Sequence, residues 1–186
     1  MTKRDAILKA ADALFARHGY GLTGVDALAA EAGVTKRTLY KQFGSKEALF
    51  AEWLRHRDVR TRAGLQRAIE AISDDPRQQL LGLFTLLATL AEAPDFFGCP
   101  FSRALVELGS AGSQAAGRAV AAEHKAQVIA WVRARVEAAG VAEPDRAAEE
   151  IMVLYEGVLA QIAATRTAAP AHAARRLLAA RLHAGA

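Results

Sequence analysis

A single cysteine, Cys99, occurs in the 186 residues, so no internal disulfide can form and packing must hold the fold together. Aromatic residues make up only 6% of the chain, strand formers are sparse, and no long alternating run appears, which argues against a sandwich or barrel. No apolar stretch approaches the roughly 20 uncharged residues a membrane span requires. Met1–Asp5 runs straight into an amphipathic segment, so no secretory leader is expected. A soluble, cytoplasmic protein with no membrane partner is the expectation. Metal and catalytic signatures are equally scarce. No HExxH, ExxH or paired-cysteine spacing occurs, and the five histidines (His18, His56, His124, His172, His183) are scattered. Glu149 and Glu150 are adjacent and would point in different directions on a helix. An enzyme reading has no residues to rest on, and no cofactor is expected.

What is abundant is Ala and Leu within a 52% hydrophobic composition, which favours an all-helical fold. The net charge of +4 is unevenly placed. The first 60 residues hold 11 Lys/Arg against 7 Asp/Glu, and the remainder balances at 13 of each. A basic head on a neutral body suits an anionic partner bound at one end.

Capping signals and apolar spacing divide the chain into about nine helices. The first starts at Thr2, which has capping-box spacing to Asp5, and buries Ile7, Ala11, Leu14, Phe15 and His18 before a left-handed cap at Gly19. Lys3 and Arg4 lie in its first turn, where the helix dipole disfavours cations and an anionic neighbour would compensate. A second capping box, Thr23 with Asp26, opens a short helix that Gly33 stops. Thr35 caps a third helix over about Lys36 to Phe43, and Ser45 caps a long fourth from Lys46 to about Ile72. Pro76, Pro144 and Pro170 open later helices, and Gly140 closes the seventh.

The segment Thr23–Lys46, TGVDALAAEAGVTKRTLYKQFGSK, reads as two short helices joined by a tight turn at Gly33-Val34. A helix-turn-helix needs that arrangement, with the second helix entering the major groove. Leu28, Val34, Leu39 and Phe43 form the inward side. Thr35, Lys36, Arg37, Thr38, Tyr40 and Lys41 form an outward side on which every residue can donate a hydrogen bond and none is acidic. The N-terminal end of a recognition helix approaches base edges, so Lys36, Arg37 and Thr38 are candidates for reading sequence. Thr23, Tyr40, Lys41 and Lys46 are candidates for phosphate contacts.

At these residues the sequence resembles the TetR family of repressors. The resemblance is carried by Ala32-Gly33-Val34, then Leu39-Tyr40, Phe43, Lys46-Glu47 and Leu49, and covers about residues 5–55. Gln42 departs from it, standing where many members carry His. The resemblance implies a helix-turn-helix domain over residues 1–47 and a ligand-binding and dimerisation domain over 48–186, joined by the long fourth helix. It implies a homodimeric regulator that holds double-stranded operator DNA and is released by a small-molecule effector. It also implies a cavity among helices four to eight. Phe84, Leu87, Phe96, Phe97, Cys99, Phe101, Trp131 and Tyr155 are its candidate lining, suited to an apolar or aromatic effector; plain core packing is the other reading of each. Helix eight is apolar on most of its circumference and must be covered on more than one side. With the Ala-rich ninth helix it is the expected dimer interface, with Leu154, Val158, Ile162, Leu178 and Leu182 as candidates. The competing reading of the whole chain is a helical ligand-binding or interaction protein without DNA binding.

Two weaker signals remain. Gly19-Tyr-Gly-Leu-Thr-Gly24 matches GxGxxG but follows a helix rather than a strand, so it reads as a connection. Cys99 reads as a small buried hydrophobe, with a sensor thiol as the alternative.

Overall fold

The computed structural model describes residues 1–184, and among these there are helices and turns but no strand. The helices are α1 Lys3–His18, α2 Val25–Glu31, α3 Lys36–Phe43, α4 Lys46–Glu70, α5 Pro76–Glu92, α6 Pro100–Glu107, α7 Ala115–Ala138, α8 Pro144–Thr165 and α9 Ala169–Ala184. None of the described helices is long and apolar enough to cross a membrane.

Local chemistry accounts for most of the boundaries. Thr2 caps α1 through a full capping box: its hydroxyl accepts from Asp5 N–H, and the Asp5 carboxylate accepts from Thr2 N–H. The C-terminal cap Gly19 has φ 78°, as expected, but ψ −177°, so it lies outside the left-handed helical region in a conformation that glycine alone adopts readily. His18, expected on the buried face, is exposed, and Ala10 is buried in its place. The Asp75 carboxylate accepts from Arg77 N–H ahead of Pro76 at the start of α5.

Packing gathers the chain into two compact units. The first takes Met1–Val59 and Cys99–Lys125; the second takes Arg60–Gly98 and the chain from Ala126 onward. Helices α4 and α7 each contribute residues to both.

The core of the first unit joins Ile7, Phe15, Leu28, Leu39, Leu49, Phe50, Trp53 and Leu54 to Phe101, Ala104, Leu108 and Ala121. The three-helix head therefore shares its apolar interior with α6 and the start of α7. Aromatic rings dominate it. Phe15 meets Phe50 edge-on at 4.8 Å between ring centres, and Phe50 lies 5.2 Å from Trp53. Trp53 Nε1–H donates to Asp12 Oδ1 at 2.8 Å, which settles the polar end of a ring only 2% exposed.

In the second unit α5 packs chiefly on α9, and both meet α8. Leu80, Leu83, Phe84 and Leu87 on α5 are essentially closed off from water, as are Ile151, Val158 and Ile162 on α8 and Leu178 and Leu182 on α9. The Arg77 guanidinium donates to the Ala139 carbonyl at 3.2 Å and the Leu182 carbonyl at 3.0 Å, which satisfies acceptors near two helix ends. Arg166, in left-handed conformation at φ 56°, ends α8 and donates to the carbonyls of Phe96 and Pro94.

Candidate nucleic-acid interface

The turn between α2 and α3 is built by the backbone. Gly33 N–H donates to the Ala30 carbonyl at 3.1 Å and Val34 N–H to the Ala29 carbonyl at 2.9 Å, the paired bonds of a Schellman turn. Gly33 sits at φ 64°, which a residue with a Cβ adopts only at a cost of roughly 1–2 kcal/mol. Thr35 then caps α3, accepting from Thr38 N–H at 3.2 Å, and the two threonine hydroxyls lie 3.0 Å apart. Gly44 at φ 79° closes the helix, and Ser45 caps α4 by accepting from Ala48 N–H.

This frame splits α3 cleanly. Leu39 is 0% exposed and Phe43 8%. Thr35, Lys36, Arg37, Tyr40 and Lys41 are exposed, and Thr38 is half-buried. The structure therefore brings together on one open face six of the eight residues proposed from sequence for DNA contact. The Lys36 ammonium is held 2.7 Å from Asp26 Oδ1, and that carboxylate raises the lysine pKa above its ordinary value.

Lys46, the seventh, is half-buried beside this face. Its ammonium stands 4.1 Å above the centre of the Tyr20 ring. Burial lowers its pKa. The Tyr20 hydroxyl donates to Glu47 Oε1 at 2.7 Å. Burial and then this bond push the phenol up to about 12, and the same bond holds the Glu47 carboxyl below its ordinary value. Tyr20, Lys46 and Glu47 thus fix the start of α4 against the α1–α2 connection.

The pH dependence follows in sign. A raised phenol pKa means that the neutral form is favoured in the folded state. Its contribution is complete below pH 10 and is lost as pH climbs toward 12. Glu47 contributes in the opposite direction, complete above pH 4.5 and lost on acidification. Tyr20→Phe should flatten the alkaline fall in stability, and urea unfolding of both proteins around pH 9 and pH 11 checks this.

Thr23 requires correction. It does not cap α2; Gly24 occupies that position, without a side-chain bond. Thr23 is 2% exposed and its hydroxyl donates to the Gly19 carbonyl at 2.6 Å. Its side chain is engaged inside the α1–α2 connection and is unavailable to a phosphate.

Two acidic partners that support the head, Glu52 and Glu107, escaped the sequence reading. Arg4 donates to the Gln42 carbonyl at 2.7 Å, pairs with Glu52, and lies 4.3 Å over the Phe43 ring. Glu52 is the anion that the first-turn cations called for, and the Gln42 carbonyl is thereby engaged. Glu107 on α6 accepts from Tyr20 N–H at 2.7 Å and Gly21 N–H at 3.0 Å. A Cβ at Gly19 would crowd the Glu107 carboxylate and push it aside, and the φ of 78° already favours glycine there. Neither long-range partner has a local sequence signal.

The effector and dimer candidates fall elsewhere. Of the eight proposed pocket residues, Cys99 and Phe101 belong to the first unit and the other six to the second. Phe101 stacks on His124 at 3.6 Å, and Lys125 Nζ–H donates to Cys99 Sγ at 3.3 Å. Phe84 and Leu87 are closed within packing, Tyr155 is 9% exposed, and Phe96 and Phe97 lie half-buried in the loop that Arg166 ties down. Trp131 borders a cavity of about 110 Å³ with Arg62, Leu65, Gln66, Gln127 and Val128, and its Nε1–H is buried without a hydrogen-bond partner.

Of the five proposed dimer residues, Val158, Ile162, Leu178 and Leu182 are buried inside the second unit and cannot form its surface. Leu154 is partly buried. The apolar residues that α8 and α9 leave open are instead Val153 at 74% and Leu177 at 61% exposure, beside a groove of about 610 Å³. A helix apolar on most sides gives no sequence cue as to which stripe its own chain takes.

A chain that is all-helical over its described residues, with a tight α2–turn–α3 unit whose outward α3 side chains are all hydrogen-bond donors, has the features of a helix-turn-helix DNA-binding regulator. Residues 7–53 match the profile of the bacterial regulatory proteins, tetR family. A protein of Streptomyces avermitilis assigned as a TetR transcriptional regulator is 32% identical over 100% of this chain and 98% of its own, with a TM-score of 0.85. The chain belongs to the TetR family of transcriptional regulators, and is a DNA-binding regulator rather than an enzyme. A TetR-family regulator of Streptomyces coelicolor, 22% identical over 98% of this chain and 95% of its own, shares the fold with a TM-score of 0.82. The transcriptional activator FasR of Mycolicibacterium smegmatis is 35% identical over 78 residues, which span 42% of this chain and 35% of that protein.

Proposed function

We propose that the protein is a ligand-responsive repressor that binds a palindromic operator as a homodimer and is released by a small-molecule effector. The observation that carries the reading is the α3 face. Lys36, Arg37, Thr38, Tyr40 and Lys41 form a set of hydrogen-bond donors that is rigidly framed and free of acids, and the helix is the right length for a major groove. Two copies related by a two-fold axis would place a pair of such helices about 34–36 Å apart, in successive grooves. In this reading Val153 and Leu177 lie in the contact between subunits.

The effector enters the second unit and acts through α4, whose residues Lys46–Val59 belong to the first unit and Arg60–Glu70 to the second. Its body is apolar or aromatic, and the unpartnered Trp131 Nε1–H favours one that also carries an acceptor. Ligand and operator then weaken each other by the same factor, with a coupling of roughly 1–3 kcal/mol.

The test is fluorescence anisotropy with duplex DNA flanking the protein's own gene, titrated with salt. Lys46→Ala should weaken all duplexes alike and reduce the salt slope by about one. Arg37→Ala and Lys36→Ala should instead relax sequence preference, each by roughly 1–3 kcal/mol of discrimination. A salt-independent interaction, or none, overturns the reading. Run-off transcription distinguishes repression from the activation for which FasR is named.

A further inference from the structure

The outward face of α3 carries no acid of its own, yet one carboxylate reaches it from across the turn. Asp26, in the first turn of α2, brings Oδ1 to 2.7 Å from Lys36 Nζ. Both side chains are open to water, at 82% and 54% exposure. An exposed pair of this kind adds little to the stability of a fold. Asp26 makes no cap bond for α2, whose capping position is held by Gly24, and at such exposure its place in the first turn gains only weakly from the helix dipole. Stability therefore gives a weak account of an acid placed where a polyanion must approach.

Its effect on recognition is stronger. Together Lys36 and Asp26 carry no net charge, so a phosphate meeting this point displaces little counterion and gains little. One of the three ammonium donors is directed at the carboxylate, which biases the head of an otherwise flexible side chain and leaves two donors for acceptors on a base edge. Phosphates that drift onto the N-terminal end of α3 in a wrong register meet the carboxylate itself. Discrimination arises from penalising the wrong partner as well as from rewarding the right one.

We propose that Asp26 is a specificity-determining residue of the DNA-binding face: it converts Lys36 from a phosphate anchor into an oriented base-edge donor and lowers affinity for DNA of unrelated sequence. The proposal rests on the DNA-binding reading above.

The experiment uses the full-length protein and Asp26→Asn, with circular dichroism to establish that both are folded. The probes are a mixed-sequence duplex and the duplex that wild-type protein enriches from a random pool. Asp26→Asn should bind the mixed-sequence duplex roughly 3- to 10-fold more tightly at low salt. The slope of log K against log salt should steepen by about one. The enriched duplex should gain less, so the ratio between the two falls. In Asp26→Asn/Lys36→Gln the steeper slope should disappear, because the released charge has been removed. An unchanged slope in Asp26→Asn, or an equal gain on both duplexes, overturns the role of Asp26 while leaving DNA binding intact. A wild-type protein that binds neither duplex overturns the DNA-binding reading, and this inference with it.

Discussion

Val153→Glu combined with Leu177→Glu should yield a folded single subunit that binds operator DNA roughly a hundredfold or more weakly than the parent. Both side chains are more than half exposed in the chain, so substitution there disturbs little of the subunit interior. In the proposed dimer they are covered, and the two-fold axis turns two new carboxylates into four. A charge buried without a partner costs several kcal/mol, more than an ordinary interface tolerates. The loss at the operator follows because each subunit then binds its half-site alone. Analytical ultracentrifugation gives the mass and circular dichroism the fold; a variant that stays dimeric removes Val153 and Leu177 from the interface. Substituting Val158, Ile162, Leu178 or Leu182, as the sequence alone would have suggested, would confuse dissociation with unfolding, since each is buried in its own subunit.

Phe15→Ala should be among the most damaging single changes in the first unit, at about 3–5 kcal/mol. The ring is 1% exposed and is shared between Phe50, at 4.8 Å, and Trp53, at 5.4 Å. Truncation leaves a cavity in the middle of an aromatic cluster and forfeits two ring pairs, each worth about 0.5–1.5 kcal/mol beyond the area buried. α1 would lose its grip on α4, and with it the support behind α3, so DNA binding should fall together with stability. Urea unfolding followed by tryptophan fluorescence measures the cost; a midpoint within error of the parent would show that the cluster does not hold the unit.

The residues of the sequence announced local structure well. The extent of α3, its Thr35 cap, the Thr2–Asp5 box and the glycine turn at Gly33 depend on neighbours three or four positions away, which a linear reading can see. The open face of α3 followed from the same periodicity. Thr23 misled because its spacing to Asp26 imitates a capping box, whereas its hydroxyl turns back to the Gly19 carbonyl. Arg4 with Glu52, and Glu107 with Tyr20 and Gly21, join positions far apart in the chain, and nothing local marks such pairs. The choice between inner and outer stripes of α8 was hidden for another reason: Val153, Val158 and Ile162 are chemically alike, and only tertiary packing separates them.

Glu107 bears on any attempt to exchange reading heads between regulators. A graft cut just after α3, or even at Val59, would leave Tyr20 and Gly21 without their acceptor and strip Phe101, Ala104 and Leu108 from the interior they complete. The unit that packs together comprises two separate stretches, Met1–Val59 and Cys99–Lys125, and a graft should carry both. Chimaeras that respect that discontinuity keep the carboxylate latch behind the α1–α2 connection, and those that follow the linear order of the chain sever it.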